Sequence, residues 1–129
     1  MKRILLDTNV FLWLLIDDPR LSQGSKDLFL DKATEPILSI ASVWEIFIKQ
    51  RLGKLTMPGD PASFIRDQLH LNGIALLPIR YSHLEKMLEL PMIHRDPFDR
   101  LIIAQALHEK IPMLSSDSVF TEYGVKNLY

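Results

Sequence analysis

Short apolar segments alternate with longer helical patterns along the chain, and this alternation most constrains the fold. The apolar bursts predict strands at residues 3–6, 36–39, 74–79 and 113–115, with a short fifth strand at 125–128. Helical patterns predict helices at residues 9–16, 22–31, 41–52, 62–71, 82–90 and 98–110. Such alternation predicts an α/β fold with a mostly parallel central sheet of four to five strands.

The length and composition indicate a globular chain. Its 129 residues, 47% of them hydrophobic and 24% charged, fit a single domain over residues 1–129. The longest apolar run, Val10 to Ile16, is shorter than the ~20 residues of a membrane span, and it predicts a buried helix. Asp7 interrupts the N-terminal apolar run too early for a signal peptide, and the chain has no cysteine. We therefore expect a cytoplasmic protein with no membrane partner.

The formal net charge of −1 argues against broad, phosphate-driven binding to nucleic acid. A nucleic-acid enzyme remains compatible with it, because bound divalent cations reverse the sign of the local field.

Asp7 directly follows the first predicted strand, in the stretch "LLDTNVFLW". Ligands of open α/β sheets bind beyond the carboxyl ends of the strands, so this is a favourable position for a functional carboxylate. The structural alternative is that Asp7 caps the following helix, with Thr8 and Asn9 as turn residues.

Glu45 lies among apolar side chains in "SIASVWEIFIK". A carboxylate in such surroundings is costly unless it is paired, protonated or bound to a metal. Ser42, three residues earlier, would make Glu45 part of a capping box. Ser39 is an equally good cap, and it would place Glu45 well inside the helix.

Three further acids stand next to predicted helices or strands. Asp96 precedes Pro97 and is an excellent N-cap, whereas Asp99 either complements the helix dipole or turns inward, since it shares a face with apolar side chains. Asp117 follows the fourth predicted strand, where a turn or N-cap role is the simplest interpretation.

Taken together, Asp7, Glu45, Asp99 and Asp117 are predicted to approach one edge of a parallel sheet, although Asp99 follows a helix and fits this arrangement less well. Like charges at short range cannot all ionise unaided, and a hard divalent cation relieves their repulsion. Oxygen ligands favour Mg²⁺ or Mn²⁺, and the lack of cysteine argues against a structural zinc site.

The sequence also resembles a known family. The segments "LLDTNVFLW", "SIASVWEIFIK", "HRDPFDRLIIAQA" and "LSSD" are similar, in order and spacing, to those of PIN domains, and within that group to the VapC-type toxins of type II toxin–antitoxin systems. The resemblance implies a three-layer α/β/α sandwich and a metal-dependent endoribonuclease. It also implies a homodimer and a cognate antitoxin that silences the activity.

The site residues implied by the resemblance are the acidic quartet and its supports. Asp7 and Asp99 would hold the principal Mg²⁺ or Mn²⁺ ion, while Glu45 and Asp117 would position a second ion or the attacking water. The supporting residues would be Asn9, Ser39 and Asp96.

Two arginines that flank the late acids, Arg95 and Arg100, are predicted to contact RNA phosphates. No catalytic histidine is needed, because a metal supplies the nucleophile near neutral pH. We therefore expect the four histidines to be surface or capping residues; they are His70, His83, His94 and His108.

Three other functions compete with that of a toxin nuclease. A haloacid-dehalogenase-type phosphatase would need a second Asp as its general acid where this chain has Asn9, and an amide cannot donate that proton. A PIN-like module that binds RNA or protein without cutting, and a PIN nuclease in RNA maturation, both stay open.

Overall fold

The computed structural model describes residues 2–129 and contains one parallel sheet. Its strands are β1 (Lys2–Leu6), β2 (Thr34–Ser39), β3 (Ala75–Leu77) and β4 (Met113–Leu114). Neighbouring strands pair in the order β3-β2-β1-β4, and every pair is parallel. The predicted parallel α/β architecture is confirmed, and the strand order is new information.

Helices connect and follow the strands. They are α1 (Thr8–Ile16), α2 (Gln23–Leu30), α3 (Ile40–Arg51), α4 (Pro61–Leu71), α5 (Tyr81–Leu88), α6 (Pro97–Glu109) and a 3-10 helix (Ser118–Tyr123) that the sequence did not predict. Within residues 2–129, none of the helices is both long and apolar enough to cross a membrane.

One face of the sheet is covered mainly by α6. Leu5 pairs in register with Ile37 and Met113, and all three side chains pack with Ile102 and Ile103 of α6. Alternate residues of a strand face opposite sides of a sheet, so this core lies on one side only.

The other face carries a second core. Leu6 pairs with Leu38 and Leu114, and these side chains pack with Phe11 of α1 and Ile65 of α4. Helices on both faces of a parallel sheet make the three-layer α/β/α sandwich that was expected.

Two expectations about local structure were wrong. Residues 125–128 form no strand; a single bridge joins Asn127 to Met113, and the Asn127 side chain bonds the backbone N–H and C=O of Ser115 instead. α1 is buried only towards its start, at Val10 and Phe11, while Ile16 is 70% exposed. A helix that is apolar all round therefore leaves part of its surface uncovered here.

Candidate functional site

Asp7 lies at the carboxyl edge of the sheet, where β1 and β4 end side by side. Its N–H donates to Leu114 C=O at 3.0 Å, which continues the β1–β4 ladder by one residue. The Asp7 carboxylate accepts a hydrogen bond from the Ser115 hydroxyl at 2.9 Å and is only 5% exposed. Although Asp7 has N-cap backbone geometry, its side chain makes no capping hydrogen bond to α1. The carboxylate is thus aimed at the sheet edge.

Glu45 is buried inside α3, as the Ser39 cap requires. Ser39 Oγ accepts from Ala41 N–H at 3.0 Å, so α3 starts early and the capping box with Ser42 does not form. Glu45 Oε1 accepts from the Thr8 hydroxyl at 2.8 Å, and Lys49 Nζ lies 2.9 Å from Glu45 Oε2. The buried carboxylate is therefore both hydrogen-bonded and ion-paired.

The start of α6 brings Asp99 to the same edge. Asp96 caps the helix by accepting from the N–H groups of Phe98 and Asp99, as the sequence predicted. The Phe98 ring packs edge-on against Trp44 of α3, with ring centroids 4.9 Å apart. This contact fixes α6 against α3, and it explains how an acid that follows a helix can still reach the sheet edge.

Asp99 and Asp117 share a histidine. His94 Nε2 lies 3.0 Å from Asp99 Oδ2 and 3.9 Å from Asp117 Oδ2. One ligand atom from each of these three residues falls within 4.8 Å of the others, a spacing that could hold a metal ion. Asp117 is half-exposed and caps the 3-10 helix by accepting from Val119 N–H, as its simplest interpretation predicted.

The electrostatics link all four acids. Burial raises the pKa of Asp7 to about 6; the bond from Ser115 and the nearby Thr8 backbone N–H oppose the rise, and the charges of Glu45 and Asp117 add to it. Repulsion of this kind is expected where several carboxylates approach one another.

The same effect is larger at Asp99. Burial, followed by the charges of Asp7, Asp96, Glu45 and Asp117, raises the pKa of Asp99 to about 8. The charges of neighbouring acids therefore oppose the ionisation of Asp7 and Asp99, which is the situation that a bound divalent cation relieves.

The predicted supporting residues have different positions. Ser39 is buried and, besides capping α3, its hydroxyl donates to the amide oxygen of Gln105 in α6. Asn9 is exposed on α1, and among the described residues no hydrogen bond holds its side chain. The residue of this turn that holds an acid is Thr8.

The two arginines also differ. Arg95 is exposed, whereas Arg100 is only 9% exposed and its guanidinium donates to the carbonyls of Pro91 and Met87. Those bonds turn Arg100 towards α5 and away from solvent. Its burial and these two bonds argue against the predicted contact of Arg100 with RNA phosphates.

A groove of about 450 Å³ opens beside the acids. It is lined by Glu45, Ile48, Lys49, Leu52, Lys54, Arg95, Asp96, Pro97 and Phe98. The groove thus combines an apolar floor, exposed cations and an acidic end.

Three side chains of the site were missed in the sequence: Thr8, Ser115 and His94. Thr8 was expected in a turn and Ser115 at the end of a strand, although a buried hydroxyl near an acid is a natural hydrogen-bond donor to a carboxylate. His94 was expected on the surface or at a cap, and no spacing in the sequence points from it to Asp99. His83 does cap α5, through its bond from Arg80 N–H, and it is fully buried.

The fold and the acids define a parallel α/β domain with carboxylates gathered at the C-terminal edge of its sheet. The chain belongs to the PIN domain family, whose model matches residues 4–126. Part of the chain is also similar to the ribonuclease VapC16 of Mycobacterium tuberculosis, with 43% identity over 47 residues. That match spans 36% of this chain and 33% of VapC16.

Solved structures share the fold over nearly the full length. VapBC2 from Rickettsia felis, bound to a DNA fragment from its promoter, has a TM-score of 0.74 and 14% identity, and the match covers 97% of this chain and 96% of that one. FitAcB from Neisseria gonorrhoeae has a TM-score of 0.69 and 22% identity, and the match covers 98% of this chain and 96% of that one. The M. tuberculosis sarcin–ricin loop cleaving toxin VapC20 has a TM-score of 0.65 and 19% identity, and the match covers 95% of each chain.

Proposed function

We propose that this protein is a metal-dependent endoribonuclease that hydrolyses RNA phosphodiester bonds and acts as the toxin of a type II toxin–antitoxin pair. The observation that carries the proposal is the convergence of four acids from separate elements, two of which have strongly raised pKa values. The local similarity to the ribonuclease VapC16 and the fold shared with VapC20 support the ribonuclease activity.

The donor set fits a hard divalent cation. Asp7 is 5% exposed and the Asp99 side chain 17% exposed, and burial and mutual repulsion disfavour the charged form of both carboxylates. A cation that binds them removes this cost. Oxygen donors suit Mg²⁺ or Mn²⁺ better than zinc, so we expect one of these ions.

Each residue has a proposed part in holding the reaction centre. Asp7 and Asp99 would hold the principal ion, and Glu45 and Asp117 would complete the acidic wall. When bound, the metal activates water and neutralises charge that develops on the phosphate. The Ser115 hydroxyl keeps Asp7 in place, since it donates to the carboxylate from the neighbouring strand end.

Arg95 and the groove provide the proposed path for RNA. Arg95, Lys49 and Lys54 line the groove whose acidic end includes Glu45. Cations along such a groove attract the phosphate backbone, while the reaction itself takes place at the acids.

The proposed partners follow from the related complexes. The VapBC2 structure of R. felis and the VapBC-1 structure of nontypeable Haemophilus influenzae share this fold. By analogy we propose a cognate antitoxin, a homodimer of this chain and a cytoplasmic site of action on cellular RNA.

Cleavage of RNA by purified wild-type protein, Asp7→Asn and Asp99→Asn tests the proposal. We expect cleavage that needs Mg²⁺ or Mn²⁺, stops with EDTA and falls in each variant by more than the ~10–100-fold typical of a residue that only orients a ligand. Asp67→Asn, an exposed acid on α4, is the matched control and should cleave like the wild type.

Cleavage that persists unchanged in both variants would refute the metal site. RNA binding without cleavage in the wild type would support a non-catalytic module instead. A third outcome would favour a nuclease of RNA maturation. In it, the wild-type protein cleaves RNA, its expression does not arrest growth, and the product of the neighbouring gene does not inhibit cleavage.

A further inference from the structure

His94 contacts the Asp99 carboxylate directly. Its Nε2 lies 3.0 Å from Asp99 Oδ2, and the imidazole is 23% exposed. The residue stands in the loop that leads into α6, two positions before the capping residue Asp96. It therefore borders the acidic site without being one of the acids.

A backbone hydrogen bond fixes the tautomer of this imidazole. Asp96 N–H donates to His94 Nδ1 at 3.1 Å. A ring nitrogen that accepts an N–H carries a lone pair, so the proton of the neutral ring sits on Nε2. Nε2–H then faces Asp99 Oδ2 as a donor.

The loop that carries the ring is itself held in place. His94 N–H donates to Tyr123 Oη at 2.6 Å, and Arg100 Nη1 donates to the Pro91 carbonyl at 2.9 Å. Tyr123 is 9% exposed and ends the 3-10 helix that Asp117 caps. The imidazole is thus attached at both its backbone and its Nδ1, with Nε2–H as its remaining donor.

We propose that His94 is a positioning residue, which holds the Asp99 carboxylate in the orientation that receives the divalent cation. This inference rests on the proposed function, in which Asp99 is a metal ligand. The Nε2–H bond occupies one face of Oδ2 and leaves the rest of the carboxylate for the ion. Partners of this kind orient a ligand and increase its affinity for metal.

The same contacts argue against His94 as a direct ligand, although the spacing of His94, Asp99 and Asp117 would accommodate an ion. Coordination through Nε2 requires the ring proton to move to Nδ1. There it would face the Asp96 N–H, and two donors would point at each other. The backbone geometry disfavours that arrangement.

Manganese affinity provides the first test, measured by calorimetry on the full-length protein. We expect His94→Phe, which keeps a ring but has no donor, to weaken Mn²⁺ binding about 10–100-fold. His94→Gln, whose amide restores an N–H donor, should recover most of the affinity. His70→Phe, at an exposed histidine of α4, is the matched control and should bind like the wild type.

A purely structural role makes a different prediction. In that case His94→Phe would lower the melting temperature in EDTA and leave the Mn²⁺ dissociation constant unchanged. His94→Gln would then bind Mn²⁺ no more tightly than His94→Phe. That result would overturn the inference. If His94 positions Asp99, cleavage kinetics of His94→Phe should show the same weakened metal binding. The Mg²⁺ concentration for half-maximal rate should rise by a larger factor than the rate at saturating Mg²⁺ falls.

Two spectroscopic measurements separate positioning from ligation. Nitrogen-detected NMR of the metal-free protein should give the Nε2–H tautomer for His94, and the Nδ1–H tautomer would contradict the proposal. Electron spin echo spectra of the Mn²⁺ protein should lack a directly bound imidazole nitrogen. A nitrogen coupling that His94→Gln abolishes would identify a ligand and refute positioning.

Asp99→Asn keeps this inference distinguishable from the proposed function. If Asp99→Asn binds Mn²⁺ like the wild type, the proposed metal site itself fails. If Asp99→Asn weakens binding and His94→Phe does not, only the role of His94 fails.

Discussion

The Thr8 hydroxyl donates to Glu45 Oε1 at 2.8 Å, so the first residue of α1 holds a carboxylate that lies inside α3. Thr8 is buried, and its Oγ1 also lies 2.8 Å from Ser42 Oγ. The hydroxyl has one proton, which goes to the carboxylate, and it accepts from Ser42 in turn. The turn after β1 therefore supplies both an acid, Asp7, and the group that orients a second acid.

Thr8→Val should destabilise the metal-free protein by about 1.5–3 kcal/mol. Valine keeps the shape of threonine but lacks the hydroxyl, so the buried hydrogen bond to the charged group of Glu45 is lost. Urea unfolding in EDTA measures the change. Thr56→Val, at an exposed threonine, is the control and should unfold like the wild type. An unchanged midpoint for Thr8→Val would show that the bond to Glu45 contributes nothing to stability.

The metal-free protein should lose stability as the pH rises from 5 to 8. The pKa values of Asp7, about 6, and Asp99, about 8, lie above the ordinary value of 3.8, so the folded state binds more protons than the unfolded state. Stability then falls with pH until each folded pKa is passed. Urea unfolding in EDTA at several pH values measures this slope.

Asp99→Asn should remove most of the slope between pH 6.5 and 8, since the Asp7 contribution is complete by then and Asp99 still titrates. Asp67→Asn should leave the slope unchanged. A wild-type protein whose unfolding free energy rises over this range would contradict the raised pKa values.

Mn²⁺ should stabilise the protein more at pH 8 than at pH 5. Carboxylates must lose their protons to bind a metal, and at pH 5 Asp7 and Asp99 are protonated in the folded state. A ligand that binds only the folded state raises the melting temperature with its concentration. Thermal melts with and without Mn²⁺ at both pH values provide the comparison, and equal stabilisation would disprove the linkage.

Lys49→Met should strengthen Mn²⁺ binding about two- to fivefold, the range expected for a half-exposed ion pair. Lys49 Nζ lies 2.9 Å from Glu45 Oε2 and brings positive charge to the wall that would face the cation. Burial opposes the charged lysine, but the hydrogen bond with Glu45 and the charges of Asp96 and Asp99 leave its pKa raised. Calorimetry measures the affinity.

Lys26→Met is the matched control for Lys49→Met, because Lys26 also forms an ion pair, with Asp17 on the C-cap of α1. It should leave Mn²⁺ affinity unchanged. Weaker Mn²⁺ binding in Lys49→Met would contradict this expectation. It would mean that the positioning of Glu45 by Lys49 favours metal binding more than the charge of Lys49 opposes it.

Arg95→Gln and Arg100→Gln should separate RNA contact from stability. Arg95→Gln should weaken RNA binding and reduce the slope of log affinity against log salt by about 0.7, the value for one phosphate contact on a single strand. Arg100→Gln should mainly lower the melting temperature, because carbonyls of Pro91 and Met87 lose their donor. Titrations of labelled RNA at several salt concentrations, and thermal melts, measure both; the reverse pattern would contradict the assignment.

The sequence predicted the parts of the fold that depend on local pattern. Short apolar bursts and caps such as Ser39 and Asp96 were sufficient for the strands, most helix starts and the α/β class. The fifth strand is reduced to one bridge: the backbone around Asn127 bonds Met113 of β4, but at Ser115 the Asn127 side chain makes the bonds instead of the backbone. No periodicity reports such a replacement.

The site was predictable where an acid stands in an unfavourable setting. Glu45 among apolar neighbours, and Asp7 after a buried strand, were visible in this way. The direction in which a side chain points was not predictable. Arg100 was therefore expected to contact RNA phosphates, although it points towards α5. The role of His94 depends on a backbone contact in an irregular loop, which no spacing rule describes.

The bond between Asp7 and Ser115 joins residues 108 positions apart in the chain. During synthesis, the N-terminal acid must therefore wait for β4 and Asp117 to leave the ribosome before its surroundings are complete. A chain that stops before Ser115 lacks the hydroxyl that holds the Asp7 carboxylate, and it also lacks Asp117. The proposed metal site is consequently incomplete until translation of the domain is almost finished.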